Sequence, residues 1–111
     1  LPFPAELPTA FVCNCDLTAS RVIKQLEESG RKVPEEVSVV GYDDYLYPGL
    51  CNVEITSYGV DMEQMAAAGL EVMLKRISSS SARKGLYIVD GYVTEKGSVC
   101  EQFPEWRENG K

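Results

Sequence analysis

The chain has 111 residues, 44% of them hydrophobic, and a formal net charge of −6. This length fits one small domain, and the apolar fraction argues against a chain that is disordered throughout. No apolar run approaches the roughly 20 residues that span a bilayer, so no membrane partner is expected. An acidic chain repels phosphate backbones, so direct contact with DNA is not expected either. The absence of histidine removes the commonest general base and the commonest transition-metal ligand.

The four cysteines, at positions 13, 15, 51 and 100, are interpreted as free thiols in a reducing cytosol. A disulfide scaffold is the alternative, but the chain has enough apolar sequence for an ordinary core. Cys13 and Cys15 are a weak metal motif because no second pair lies at ligand spacing. We therefore expect a cytoplasmic protein that needs no metal and no cofactor. The three prolines among the first eight residues predict an extended loop and not a signal peptide.

A strand, a helix and a second strand are predicted in the first half. Residues 9–13 form a short apolar run, and Asp16 is placed to cap the helix that follows. That helix has one apolar stripe and ends near Gly30; the stripe comprises Ala19, Val22, Ile23 and Leu26. Residues 37–42 form the second strand, and the connection through one helix makes the two strands parallel.

The second half predicts a strand over residues 53–58, a helix over 62–77 and a last strand over 86–94. Asp61 and Gln64 form a variant of the capping box at the start of the helix. The helix has a broad apolar face, whose methionines are interpreted as core filler. Gly91 is a candidate bulge in the last strand, and residues 100–111 are a polar tail expected to fray.

Several segments carry a family resemblance. Residues 8–19 resemble a P-T-A, apolar run, N-D pattern, and residues 33–44 closely match V-P-x-D-V-S-V-V-G-F/Y-D-D. Residues 55–58 stand where the pattern has L-T-T-V, and Lys96-Gly97-Ser98 replaces R-G-S. Over roughly residues 8–99 the chain resembles the LacI/GalR family of bacterial transcription regulators.

The resemblance implies an α/β fold of the periplasmic-binding-protein type (type I), of which this chain is a part. Residues 1–99 would be a C-terminal fragment of the effector-binding domain. Residues 9–58 would belong to the C-terminal lobe, the helix over 61–77 to the N-terminal lobe, and residues 86–99 to a returning strand. The crossover would lie near Tyr58. The helix-turn-helix headpiece and most of the N-terminal lobe would lie outside this chain.

The candidate site is the edge of the sheet where the strands end, since ligands bind there in open α/β sheets. Asp43 matches the effector-contacting Asp of the family by position, although capping a turn is the other reading of this residue. A carboxylate there can accept hydrogen bonds from two hydroxyls of a sugar-like effector. Asn14, Cys15 and Asp16 complete the site. Cys15 stands where the family usually has Asn, and Asp44 is expected to be structural.

A dimer interface is predicted on the loop after the second strand. The loop is apolar at Leu46, Tyr47, Leu50 and Cys51. The resemblance implies a homodimer or larger assembly that pairs through this loop and through the helix beginning near Leu17. The alternative is that this loop packs on the sheet of its own chain.

The favoured function is the ligand-sensing and dimerisation part of a regulator that binds a sugar-like effector between two lobes. It would contact operator DNA only through the headpiece. The alternative is a periplasmic sugar-binding protein of a transporter. A third hypothesis is a phosphoryl-transfer enzyme with Mg²⁺ on Asp43 and Asp44. Enzyme activity is not expected, because no phosphate-binding glycine loop accompanies that pair.

Overall fold

The described part of the chain folds into one four-stranded mixed sheet and two helices. The computed structural model describes residues 3–45, 51–79, 81 and 84–101. Its elements in chain order are β1 (Ala10–Val12), α1 (Asp16–Glu28), β2 (Ser38–Tyr42), β3 (Thr56–Val60), α2 (Met62–Ser78) and β4 (Gly91–Thr94). The strand order is β1-β2-β3-β4. The first three strands are parallel, as predicted for the first two, and β4 runs antiparallel to β3.

Helix α1 covers one face of the sheet with its apolar stripe. Ala19, Ile23 and Leu26 are fully buried, which confirms the predicted stripe. They pack in one core cluster with residues of the sheet and its loops: Cys13, Val33, Val37, Val39 and Ile55. The helix ends at Glu28 with Ser29 as its C-cap, and Gly30 follows with φ 81°, the left-handed conformation that glycine adopts without strain.

The predicted cap of α1 is wrong by one residue. The N-cap is Cys15, whose sulfur accepts a hydrogen bond from the Thr18 amide, and Asp16 is the first helical residue. Asp16 is only 1% exposed and accepts a hydrogen bond from the Ser57 hydroxyl at 2.6 Å. The carboxylate therefore turns toward the sheet and is unavailable to cap the helix, although Asp is ordinarily the stronger cap.

Strands β3 and β4 differ from their predicted bounds. The third strand runs over 56–60 and not 53–58, because its pairing with β2 begins where Val40 faces Thr56. The last strand covers 91–94 and not 86–94, because its partner β3 ends at Val60, which pairs with Gly91. Gly91 sits in regular pairing and forms no bulge. A Cβ there would come within 2.6 Å of the Tyr58 ring and of the Gly59 carbonyl, so the missing side chain makes room for both.

Helix α2 forms as predicted but lies outside the core. Asp61 caps it by accepting from the Gln64 amide at 3.0 Å, and the Gln64 side chain donates to the same carboxylate at 3.2 Å. None of the described residues of α2 is buried. The three methionines are exposed and do not fill a core within this chain: Met62 (60%), Met65 (44%) and Met73 (57%). No helix among the residues described is long and apolar enough to cross a membrane.

The predicted interface loop is described only at its end. Leu46, Tyr47 and Leu50 lie outside the described residues, as does the tail from residue 102. Cys51 is partly buried against the core of its own chain, and its thiol donates to the Val53 carbonyl at 2.9 Å. Its observed contacts lie within its own chain, and the interface on this loop stays a prediction.

Candidate functional site

The structure brings two of the predicted polar segments to one edge of the sheet. Residues 14–16 follow β1, and residues 43–44 follow β2, its parallel neighbour. The amide of Cys13 donates to the Val40 carbonyl at 2.8 Å, and the amide of Asp43 donates to the Tyr58 carbonyl at 2.7 Å. These bonds continue the sheet to Cys13, the residue before the first polar segment, and to Asp43, the first residue of the second. The side chains that follow are therefore fixed by the ends of rigid strands.

Asp43 projects its exposed carboxylate from a turn with unusual backbone geometry. Its φ is +93° and that of Asp44 is +48°, and residues other than glycine rarely adopt positive φ values. Oδ1 of Asp43 accepts from the Tyr45 amide at 3.3 Å, so the turn-capping reading describes part of its role. A carboxylate has about four acceptor positions, so this contact leaves capacity for ligand hydroxyls.

Cys15 follows β1 at the same edge of the sheet and is partly exposed. Its sulfur is 3.3 Å from the Thr18 hydroxyl and 3.4 Å from the Thr18 amide. The hydrogen bond with the Thr18 hydroxyl is the main influence lowering the pKa of the Cys15 thiol, while the charge of Asp43 acts in the opposite direction. Cys15 therefore combines helix capping with a place at the same edge of the sheet as Asp43, and Asn14 is exposed immediately before it.

Asp16 lies beneath the turn. Burial is the main cause that raises the pKa of its carboxyl group, and the charges of Asp43 and Asp44 add to the effect. The Ser57 hydroxyl and Lys96 oppose it. Gly41 provides the space, because a Cβ at that position would overlap with Oδ1 of Asp16. Effector contact by Asp16 stays a prediction, while its observed role is support of the turn from below.

Asp44 is held by the last two strands and the segment after them. Its carboxylate forms an ion pair with Lys96 at 2.7 Å and accepts from the Thr94 hydroxyl at 3.3 Å. Its amide donates to the Ser57 hydroxyl at 3.0 Å. The expectation that Asp44 is structural agrees with these contacts.

Comparison with known proteins gives the family. The sequence profile of the periplasmic binding protein-like domain matches residues 3–99. The chain belongs to this family. It is 27% identical over 99 residues to the "HTH-type transcriptional repressor PurR" of Aliivibrio fischeri, covering 89% of this chain and 29% of the repressor.

Solved structures agree with this assignment. A LacI-type transcription regulator from Bifidobacterium animalis subsp. lactis superposes with a TM-score of 0.77 at 26% identity, over 85% of this chain and 34% of that one. A LacI family regulator from Lactobacillus casei with bound sucrose gives 0.69 at 27% identity, over 83% and 34%. The relatives place this periplasmic-binding-protein-like domain among the LacI/GalR-type regulators and confirm the predicted fold class. The chain spans about a third of their length.

Within this LacI-type domain, sequence reasoning missed the residues that hold the site together. Ser57 and Gly59 carry no chemistry that a pattern would single out, and Gly41 appeared only as one position of the matched family pattern. Lys96 appeared only as the substituted residue of the family's R-G-S. It lies 52 positions from Asp44, and no local periodicity relates residues so far apart. A family pattern with its residues mapped on a fold is the signal that could have found it.

Proposed function

We propose that this chain is the ligand-sensing part of a LacI-type transcription regulator, and that its effector is a sugar-like molecule bound at the edge formed by Asp43, Cys15 and Asn14. The observation that carries the proposal is the exposed Asp43 carboxylate in a fixed turn at the end of β2. A charged acceptor strengthens hydrogen bonds from hydroxyl groups. The related regulator from Lactobacillus casei with bound sucrose supports a sugar as the ligand class.

Cys15 narrows the ligand class. A thiol is a weak donor and a weak acceptor, whereas the family's usual Asn can do both strongly. The sulfur is also engaged with Thr18. We therefore expect an effector that presents fewer hydroxyl groups toward β1, with Asn14 as the alternative polar contact.

A two-lobed arrangement explains the position of α2. The chain leaves the sheet through β3 and returns through its neighbour β4, so the two connections run side by side. Between them lies α2, whose apolar face is exposed in this chain; its most exposed large side chains include Leu70 (62%), Leu74 (56%) and Ile77 (75%). We propose that residues 9–58 and 86–99 belong to one lobe and that residues 61–77 pack into the other, whose remaining elements lie outside this segment. Effector binding between the lobes would then shift the balance between open and closed forms.

The surface next to the site has features of a dimer interface. Leu17, near the start of α1, is 50% exposed, and the predicted partner loop over residues 46–51 follows β2. We propose that these two segments form a homodimer interface. Because this segment carries a net charge of −6 and would repel the phosphate backbone, we propose that operator DNA is contacted by a headpiece outside it.

The test is effector-controlled DNA binding by the protein at its full encoded length. DNA fragments bound by the protein are identified by footprinting of its own promoter region, and affinity is then measured by fluorescence anisotropy with and without sucrose, glucose or cellobiose. We expect at least one sugar to change the DNA affinity by about 5- to 150-fold, the usual range of allosteric coupling. Failure to bind any specific DNA would overturn the regulator. Specific DNA binding that no sugar alters would overturn the effector class.

A further inference from the structure

The turn that carries Asp43 does not adopt its conformation unaided. Asp43 and Asp44 both have positive φ, at +93° and +48°. Such residues persist only where the surrounding structure over-determines them. The contacts that hold this turn therefore decide where the Asp43 carboxylate points.

Those contacts come from β3, from β4 and from Lys96, two residues after β4. Strand β3 supplies the Tyr58 carbonyl to the Asp43 amide and the Ser57 hydroxyl to the Asp44 amide, at 2.7 Å and 3.0 Å. The Asp44 carboxylate accepts hydrogen bonds from the Lys96 ammonium group at 2.7 Å and from the Thr94 hydroxyl at 3.3 Å. The ion pair is partly shielded from solvent, with side chains 31% and 27% exposed.

The hydrogen-bond direction at Ser57 is also fixed. Its hydroxyl is completely buried and donates to Asp16 at 2.6 Å, so the oxygen presents a lone pair to the Asp44 amide. Gly59 leaves the space that the turn occupies, because a Cβ there would lie 2.6 Å from the Cβ of Asp44. Buried hydrogen bonds from β3 therefore fix the backbone of the turn, and the ion pair with Lys96 holds its Asp44 side chain.

We infer that Lys96 is a positioning residue for the effector site: it holds Asp44, and through Asp44 it holds Asp43 in the orientation that binds the ligand. This inference rests on the proposed function in so far as Asp43 contacts an effector. Lys96 itself contacts Asp44. Its action on the ligand passes through the turn, and the return strand β4 is thereby connected to the effector site.

Removing the charge should release the turn. Lys96→Met keeps the length of the side chain and abolishes the ion pair, whereas Lys96→Arg keeps the charge and should retain the function. If the turn then spends about a tenth of its time in the competent conformation, the apparent affinity falls about tenfold. Thr94→Val removes the other side-chain donor to Asp44 and should act in the same direction, with a smaller effect. Lys75→Met is the matched control, since it breaks an ion pair with Glu71 of similar length, 2.8 Å, on exposed α2.

The first readout needs no ligand. Amide hydrogen exchange at residues 43–44 is measured in the protein at its full encoded length, for each variant. We expect exchange there to become about tenfold faster in Lys96→Met and to stay unchanged in Lys96→Arg and Lys75→Met. Unchanged protection of the turn in both Lys96→Met and Thr94→Val would overturn the inference, whatever the protein binds.

The second readout is isothermal titration with sucrose, cellobiose and glucose. Lys96→Met should weaken binding in the unaltered background and have no further effect in Asp43→Asn, because a positioning residue acts through Asp43. An equal loss in both backgrounds would mean that Lys96 contacts the sugar directly, and would contradict the positioning role. If no sugar binds the unaltered protein, the proposed effector class fails, while the exchange result still decides the role of Lys96.

Discussion

Gly41→Ala tests the buried arrangement beneath the site. Gly41 lies in β2 under the first turn of α1, and a Cβ at this position would overlap with Oδ1 of Asp16 and come within 3.1 Å of Cγ2 of Ile55. The Asp16 carboxylate is 1% exposed and bonded to Ser57. The substituted chain must therefore either shift α1 away from the sheet or displace Asp16 from its hydrogen bond.

Two effects set the magnitude. Overpacking of a close-packed interior costs about 1–3 kcal/mol, and a buried polar group left without its partner costs about 1–3 kcal/mol. The opposing gain from replacing glycine by alanine in a strand is about 0.5–1 kcal/mol. We expect the free energy of unfolding to fall by about 2–4 kcal/mol.

The assay is urea unfolding followed by circular dichroism, with Gly85→Ala as the control. Gly85 is exposed between α2 and β4, and a Cβ there would meet nothing within 4 Å, so alanine should change the free energy of unfolding by less than about 0.5 kcal/mol. In an Asp16→Ala background, Gly41→Ala should have a much smaller effect, because the overlapping carboxylate is gone. A loss below about 0.5 kcal/mol for Gly41→Ala in the unaltered background would refute the buried position of Asp16.

Two further predictions concern the start of α1. Cys15→Ser should be more stable in urea unfolding than Cys15→Ala by about 1 kcal/mol, with the unaltered protein between them, because serine caps helices more strongly than a thiol; equal stabilities would contradict the capping role of Cys15. For Asp16, burial raises the carboxyl pKa above its ordinary value of 3.8 in the folded state. Its contribution to stability is therefore present below pH 3.8 and lost as the pH rises through the raised pKa. The unfolding free energy of Asp16→Asn minus that of the unaltered protein should accordingly increase from pH 3.8 upward, and a pH-independent difference would rule this out.

The local order of elements could be predicted from the sequence because it is recorded in short-range patterns. The 3.6-residue spacing of Ala19, Ile23 and Leu26 predicted the buried face of α1, and Gly30 predicted its end. One connecting helix predicted parallel strands, and these brought Asp43 and Cys15 to the same edge. Asp43 was thus placed by topology and by the family resemblance together.

The remaining features depend on contacts between distant residues. Propensity favours Asp16 over Cys15 as a helix cap, and only the buried Ser57, 41 positions away, explains why the carboxylate turns inward. The exposure of α2 could not be predicted either, since an apolar face predicts burial without identifying the element against which it packs. The positive φ of Asp43 could not be predicted either, because no glycine marks the position and the surrounding contacts impose the conformation on an aspartate.

The most direct test of the account is the effect of Asp43→Asn on sugar binding. The protein at its full encoded length is titrated calorimetrically with the sugar that alters its DNA affinity, beside Asp90→Asn as the control, an exposed aspartate before β4. Hydrogen bonds to a charged group contribute about 1.5–3 kcal/mol each, so we expect Asp43→Asn to weaken sugar binding at least about tenfold. DNA affinity without sugar should be unchanged, and Asp90→Asn should bind as the unaltered protein does. Sugar binding that survives Asp43→Asn within about twofold would contradict the central claim that this strand-end carboxylate reads the effector.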